Sequence, residues 1–192
     1  FVEAADWIVW QLTGVQTRNS CCAGYKAMYN KATGYPDKAF FKALDPRMEN
    51  VIAEKLSCPV TPLGQKAGGL TAAMAKALGL LEGTAVSIGN VDAHVCVPAV
   101  GIDAPGQMLA IMGTSTCHMM MGTRENQVPG MCGVVQDGIM PGFAGYEAGQ
   151  SCVGDHFAWF VDNCCPQSYH EAAKAKGMGV HQYLTELAQA QK

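Results

Sequence analysis

The hydrophobic period of the chain changes between Leu78 and Thr84, and that change restricts the fold to a mixed α/β class. Up to Leu78 the apolar residues follow helical spacing. Trp7, Ile8 and Leu12 share one predicted face, and Val51, Ile52 and Leu56 share another. Phe40, Phe41 and Leu44 follow Pro36 and Asp37, a helix-start signal. Leu70, Met74 and Leu78 recur every four residues, and Gly79 suits the helix end. From Thr84 the apolar runs become short. Thr84 to Ile88 reads as a buried strand ending at Gly89. Met108 to Met112 and Cys117 to Met121 read as a hairpin around Gly113-Thr114-Ser115-Thr116. Cys132 to Val135 and Ile139 to Tyr146 read as further strands, interrupted by Gly138, Pro141 and Gly142. Ser151 is placed to cap a helix carrying Val153, Phe157 and Phe160, and Tyr183, Leu184 and Leu187 mark a last helix. Asp103-Ala104-Pro105-Gly106 is the strongest turn signal, so a domain boundary is expected between residues 1–104 and 105–192.

Composition narrows the function classes. The 192 residues are 49% hydrophobic and carry a net charge of -3, which excludes disorder. Thirteen Lys and Arg against 16 Asp and Glu leave no basic excess for a nucleic acid. No apolar run approaches the ~18 residues of a membrane span, and no secretory leader precedes the first predicted helix. A cytoplasmic protein with no nucleic-acid or membrane partner is the expectation. Nine cysteines, two pairs of them adjacent, do not read as a disulfide framework, and none sits at zinc-site spacing. Mostly buried, reduced thiols are expected. Charged residues make up only 15%, thin cover for a globule of this size. Either much of the surface meets something else, or the chain is part of a larger protein.

Four segments can carry chemistry. In Gly89-Asn90-Val91-Asp92-Ala93-His94 a carboxylate follows the end of a strand, where α/β proteins gather their ligands. Asp92 there can take a proton from a substrate hydroxyl, or it can simply cap a helix starting at Ala93. Gly113, Thr114 and Ser115 form a small, hydroxyl-rich tip suited to a phosphate or to an ordinary polar turn. The tip lacks the Gly-Lys-Ser/Thr ending of a Walker loop, and Cys117 stands where a hydrolase elbow has its second glycine. Glu147 is flanked by Gly145 and Gly149, which permits close approach of a polyol. Lys26 can be a solvated surface lysine or, beside a carboxylate, a sugar or phosphate ligand. His94 and His118 read as packed, hydrogen-bonded histidines, Met119-Met120-Met121 as core strand, and Cys164-Cys165 as structural.

Taken in order, these segments resemble the FGGY family of carbohydrate kinases. The resemblance rests on Gly24-Tyr25-Lys26, on Thr84 through His94, on Met108 through Cys117 and on Gly145 through Ser151. It covers nearly the whole chain and is weakest after Cys164. It implies an actin-like fold of two ribonuclease-H-type α/β domains, here incomplete, with nucleotide and sugar in the cleft between them. Residues 1–104 would end the first, sugar-binding domain, and residues 105–192 would begin the second, nucleotide-binding one. By position, Asp92 would be the catalytic base toward the 5-hydroxyl of a ketopentose, L-ribulose foremost. Lys26, Asp92 and Glu147 would contact the sugar, and Gly113, Thr114 and Ser115 the ATP phosphates. Mg²⁺ is implied by the ATP chemistry and not by any visible ligand set, and a homo-oligomer is compatible with the family.

The departures are specific. The Gly-Asp-Gly-Thr phosphate loop with which such kinases begin is absent, and so is their glycine-rich base-binding segment. The chain therefore resembles a middle section of a longer protein, and no sugar phosphorylation is expected of these residues alone. Two alternatives stay open: a kinase for xylulose, D-ribulose or a longer polyol, and a sugar-sensing protein that kept the fold without turnover.

Overall fold

A computed structural model describes residues 1–191. Helix α1 (Ala4–Thr13) leads to a short strand β1 (Arg18–Asn19) and helix α2 (Ser20–Ala27). Helix α3 (Lys38–Leu44), a 3₁₀ turn (Pro46–Met48) and helix α4 (Val51–Lys55) follow. Next come strands β2 (Val60–Thr61) and β3 (Lys66–Gly69), helix α5 (Ala72–Leu78), strand β4 (Ala85–Ser87) and helix α6 (Asp92–Ala99). Strands β5 (Met108–Met112), β6 (Thr116–Gly122), β7 (Gly133–Gln136) and β8 (Ala144–Gln150) precede helices α7 (Gly154–Cys164), α8 (Gln167–Ala175) and α9 (Val180–Gln189). The change of period at Leu78 thus marks where strands come to dominate, from β4 to β8, before helices return at α7.

The chain forms two compact units. The first comprises Phe1–Ile111 and Cys117–Gly149, and the second comprises the hairpin tip Met112–Thr116 and the chain from Gln150 onward.

In the first unit β1 pairs parallel with β2, and β3 pairs antiparallel with β4 across an irregularity between Lys66 and Gly68. The larger sheet has the order β5-β6-β8-β7, with Gly133 opposite Glu147 in the β7–β8 pair. Its core joins Met119 and Met121 of β6 to Val97, Ile102 and Ile139. Met120, between the two buried methionines, is 42% exposed, as strand alternation requires. Helix α2 lies against β7, and a Cβ at Gly24 would come within 2.2 Å of Val135 Cγ1. The missing side chain at Gly24 therefore sets how closely helix and sheet approach.

Local signals held where side chains act on the backbone. Asp37 Oδ1 accepts from Phe40 N at 2.8 Å and starts α3, and Gly79 ends α5 in the left-handed region at φ 69°. Three expectations need correction. The buried face of α1 carries Asp6, Val9 and Thr13, while Trp7 and Ile8 are half exposed. Asp6 goes inward because its Oδ1 accepts from both the backbone N and the side-chain Nδ2 of Asn19. Ile139 to Phe143 do not extend β8. Asp137 takes φ 59° and Gly142 φ 90°, and Gly142 N donates to Asp137 Oδ1 at 2.8 Å, which closes this stretch into a turn. The thiols are all free, but only Cys21 and Cys22 are buried; Cys132 and Cys152 are exposed in connections, and Cys164 is exposed at the end of α7.

In the second unit α7 begins at Gly154 with no side-chain cap from Ser151. Its first N–H groups are taken by the hairpin tip: Val153 N donates to Thr114 O at 2.7 Å, and Gly154 N to Gly113 O at 3.0 Å. A Cβ at Gly154 would stand 2.5 Å from Gly113 O, so only glycine fits there. Helix α7 buries Val161 and leaves Phe157 and Phe160 more than half exposed. His170 on α8 reaches Val161 O at 3.2 Å, and Tyr169 and Tyr183 join α8 to α9 with ring centroids 6.4 Å apart.

Candidate functional site

The site grows from the loop between β4 and α6. A Cβ at Gly89 would lie 3.2 Å from the Cβ and O atoms of Ala5, so the start of α1 is seated directly on this loop. That contact brings Glu3, just before α1, close to Asp92, the first residue of α6. Lys26, in the last turn of α2, ion-pairs with Glu3 at 2.9 Å. Glu3, Lys26, Asn90, Val91 and Asp92, with Ala4, Ala5, Ile8 and Cys22, line one cavity of about 370 Å³. The hydrogen bond that Lys26 donates to Glu3 Oε2 holds its ammonium above the usual lysine range.

Asp92 is exposed, and its Oδ1 accepts from Ala93 N at 2.9 Å. Helix α6 thus starts at Asp92 and not at Ala93, with Val91 at its cap position and no side-chain cap bond, and the Asp92 carboxylate keeps a second oxygen for a ligand.

Glu147 stands outside this cavity's lining and is held from two other directions. Its carbonyl accepts from Cys132 N at 2.9 Å, which fixes the strand, and its Oε2 lies 3.2 Å from His94 Nε2. His94 is one turn-half beyond Asp92 on α6, so the same helix carries one carboxylate and touches the other. Two thiols register the same convergence. Burial pushes Cys117 up, and the charges of Glu147 and Asp92 both add to it. Burial likewise pushes Cys21 up to about 12, with Glu147 raising and Lys26 lowering it. Lys26, Asp92 and Glu147 thus share one neighbourhood within the first unit.

Gly113, Thr114 and Ser115 belong to the second unit and are exposed. Gly113 N donates to Ser115 O at 2.9 Å, so one of the tip's N–H groups is used within the tip itself.

Sequence reading missed Glu3 and Tyr25 and mistook part of His94's setting. His94 is packed, only 3% exposed, against the Tyr25 ring at 4.5 Å. Neither of its ring nitrogens completes a hydrogen bond to a described residue, contrary to expectation. The adjacency of Tyr25 and Lys26 was the one available hint. Among the described residues no group of three or more His, Cys, Asp or Glu side chains is placed to hold a metal ion. A magnesium ion bound largely through nucleotide phosphates needs no such preformed cluster. Among the described residues no helix is long and apolar enough to cross a membrane.

Residues 108–192 match the FGGY family of carbohydrate kinases, C-terminal domain. Across nearly its whole length the chain is similar to members of the FGGY family of carbohydrate kinases. It is 56% identical over 187 residues to a ribulokinase of Bacillus licheniformis, covering 97% of this chain and 34% of that protein. It is 55% identical over 190 residues to a ribulokinase of Geobacillus thermodenitrificans, covering 99% and 34%. Among solved structures it superposes on a xylulose kinase from Rhodospirillum rubrum with a TM-score of 0.70 at 22% identity, over 89% of this chain and 33% of that one. The mixed helix and sheet architecture is therefore that of the FGGY sugar kinases. The chain spans about a third of the length of the curated relatives it matches.

Proposed function

We propose that this chain is the central part of an ATP-dependent ketopentose kinase that converts L-ribulose to L-ribulose 5-phosphate. The observation that carries the reading is the convergence of Lys26, Asp92 and Glu147, at positions where the chain resembles ribulokinases. Asp92 accepts the proton of the sugar 5-hydroxyl. The oxygen so activated bonds to the γ-phosphorus of ATP as the bond from that phosphorus to the β,γ-bridging oxygen breaks, and ADP leaves. Lys26 and Glu147 orient the sugar, the first by donating and the second by accepting hydrogen bonds. Such chemistry depends on positioning and charge more than on covalent help, which suits two carboxylates and one ammonium on fixed elements.

The tip Gly113, Thr114 and Ser115 takes the phosphates of ATP in this reading, and Mg²⁺ accompanies the nucleotide. We place the boundary between the sugar-binding and nucleotide-binding domains at residues 104 and 105. The turn before Gly106 (φ 100°) and the start of the family match at residue 108 support it. Turnover requires the rest of a longer polypeptide, since the chain spans a third of its relatives and carries no Gly-Asp-Gly-Thr loop.

The test is Asp92→Asn in the full-length protein, with ADP release measured over a panel of ketopentoses. The expected result is a kcat lowered about 100-fold or more with sugar binding kept. A near-normal kcat removes Asp92 from the role of base, and preference for another ketopentose reassigns the substrate.

A further inference from the structure

Three polar atoms lie buried together under the candidate site without a completed hydrogen bond to any described residue: His94 Nδ1, His94 Nε2 and Tyr25 Oη. Such groups are costly, and an apolar pair of the same shape would avoid the cost. The surroundings hold these two rings in place instead. Cβ atoms built at Gly133, Gly138 and Gly145 would stand 3.0, 2.7 and 2.7 Å from atoms of Tyr25, so the Tyr25 ring sits where three side chains are missing. His94 lies on that ring at 4.5 Å with a 48° tilt. From there its Nε2 faces one group, the Glu147 carboxylate at 3.2 Å, with the ring N–H off the line to it. Tyr25 adjoins Lys26 in α2, and His94 follows Asp92 on α6. One ring pair therefore underlies all three elements that bear Lys26, Asp92 and Glu147.

We propose that His94 is a positioning residue for Glu147. Its ring, clamped by Tyr25, limits the rotamers of the carboxylate by standing 3.2 Å from Oε2, and leaves Oε1 to accept from a sugar hydroxyl. The inference rests on the reading of Glu147 as a sugar contact. It adds a residue that itself need not touch the sugar. Because His94 is carried by the helix that begins with Asp92, the same contact ties the position of the sugar to the position of the base.

The experiment uses the full-length protein and steady-state kinetics with L-ribulose and ATP. His94→Leu keeps bulk and removes the ring N–H, while His94→Gln keeps an amide donor near the Nε2 position. The expected result for His94→Leu is a sugar KM raised about 10-fold or more, with kcat and the KM for ATP changed by less than about threefold. His94→Gln should recover most of the sugar KM, which a purely space-filling role would not explain. Glu147→Gln should raise the sugar KM by itself, and His94→Leu added to it should raise it little further, since both act on one contact. If Glu147→Gln raises KM but His94→Leu does not, or the two effects add fully, the positioning role is wrong while the reading of Glu147 stands. If Glu147→Gln leaves the sugar KM unchanged, the reading of Glu147 falls and the role of His94 with it. Should His94→Leu fail to fold, His94→Gln and the pair His94→Gln with Glu147→Gln carry the same comparison. A sugar KM that His94→Gln leaves at the Glu147→Gln level supports the proposal's opposite, that an amide cannot replace the ring and packing alone is at work.

Discussion

Lys26 Nζ stands 2.9 Å from Glu3 Oε2, and both residues border the cavity that Asp92 also lines. The pair is half exposed, with side-chain exposures of 49% and 35%, so its direct contribution to stability is small, ~1 kcal/mol or less. An ammonium has three donors, and Glu3 occupies one, leaving two to meet the sugar oxygens of the proposed substrate. The pair therefore aims Lys26 more than it stabilises the fold.

Glu3→Gln should accordingly leave the thermal midpoint of the full-length protein nearly unchanged and raise its sugar KM by about 10-fold or less. The pair's pH dependence has a definite sign. The folded-state pKa of Lys26 is raised, so the stabilisation is fully present below the unfolded value of 10.5 and fades as pH climbs through the folded one. Glu3→Gln should remove that alkaline limb. A lowered sugar KM would show instead that Glu3 competes with the sugar for Lys26.

Asp137 carries a different burden. It is 4% exposed, adopts φ 59°, accepts from Gly142 N and Gln136, and pairs with Lys31. Asp137→Ala should destabilise the chain by about 2–4 kcal/mol in urea unfolding, through loss of these bonds and the poor fit of alanine at positive φ. Asp137→Asn keeps an acceptor and tolerates the backbone, so it should cost less. Burial pushes the Asp137 carboxyl up, but Lys31, Gly142 N and Gln136 together outweigh that and hold it below the ordinary aspartate value of 3.8. Its contribution is therefore complete above pH 3.8 and is lost as pH falls through the folded value. A urea midpoint that fell as steeply with acid in Asp137→Asn as in the wild type would refute this assignment.

Gly24 tests packing alone. Alanine is the better helix former by ~1 kcal/mol, yet its Cβ would meet Val135 Cγ1 at 2.2 Å. Overpacking of this kind costs about 1–3 kcal/mol, so the clash should win and Gly24→Ala should lower stability. Adding Val135→Ala should restore part of the loss by making room. Additive losses in the double variant would mean that the helix and strand do not meet there.

Much of the fold was legible because it is local. Asp37 before α3, Gly79 after α5 and the two runs flanking Gly113 each announce their structure through backbone chemistry within a few residues. The inward face of α1 was not legible, because Asp6 is buried by a partner, Asn19, that lies beyond the helix. The turn after Asp137 escaped for a related reason. A positive φ at a non-glycine residue depends on Gly142 and Lys31, which no apolar pattern reveals. At the site, Lys26, Asp92 and Glu147 were each visible as segments with glycine neighbours or a strand end before them. Their shared neighbourhood came only through the family resemblance, because it depends on Gly89 meeting Ala5 and on His94 of α6 reaching Glu147 of β8. Those contacts join residues far apart in sequence, and composition carries no trace of them.

The three glycines around Tyr25 have a consequence for change over time and for redesign. Gly133, Gly138 and Gly145 are scattered along two strands and a turn, yet a side chain added at any one of them would press on the same ring. In a saturation-mutagenesis survey they should behave as one locus, intolerant together and partly rescued together by a smaller residue at position 25. Substitution is therefore blocked from this side of Tyr25. Glu3, Ile8 and Asn90, by contrast, line the cavity beside Asp92, where a larger or smaller side chain meets open space and not this ring.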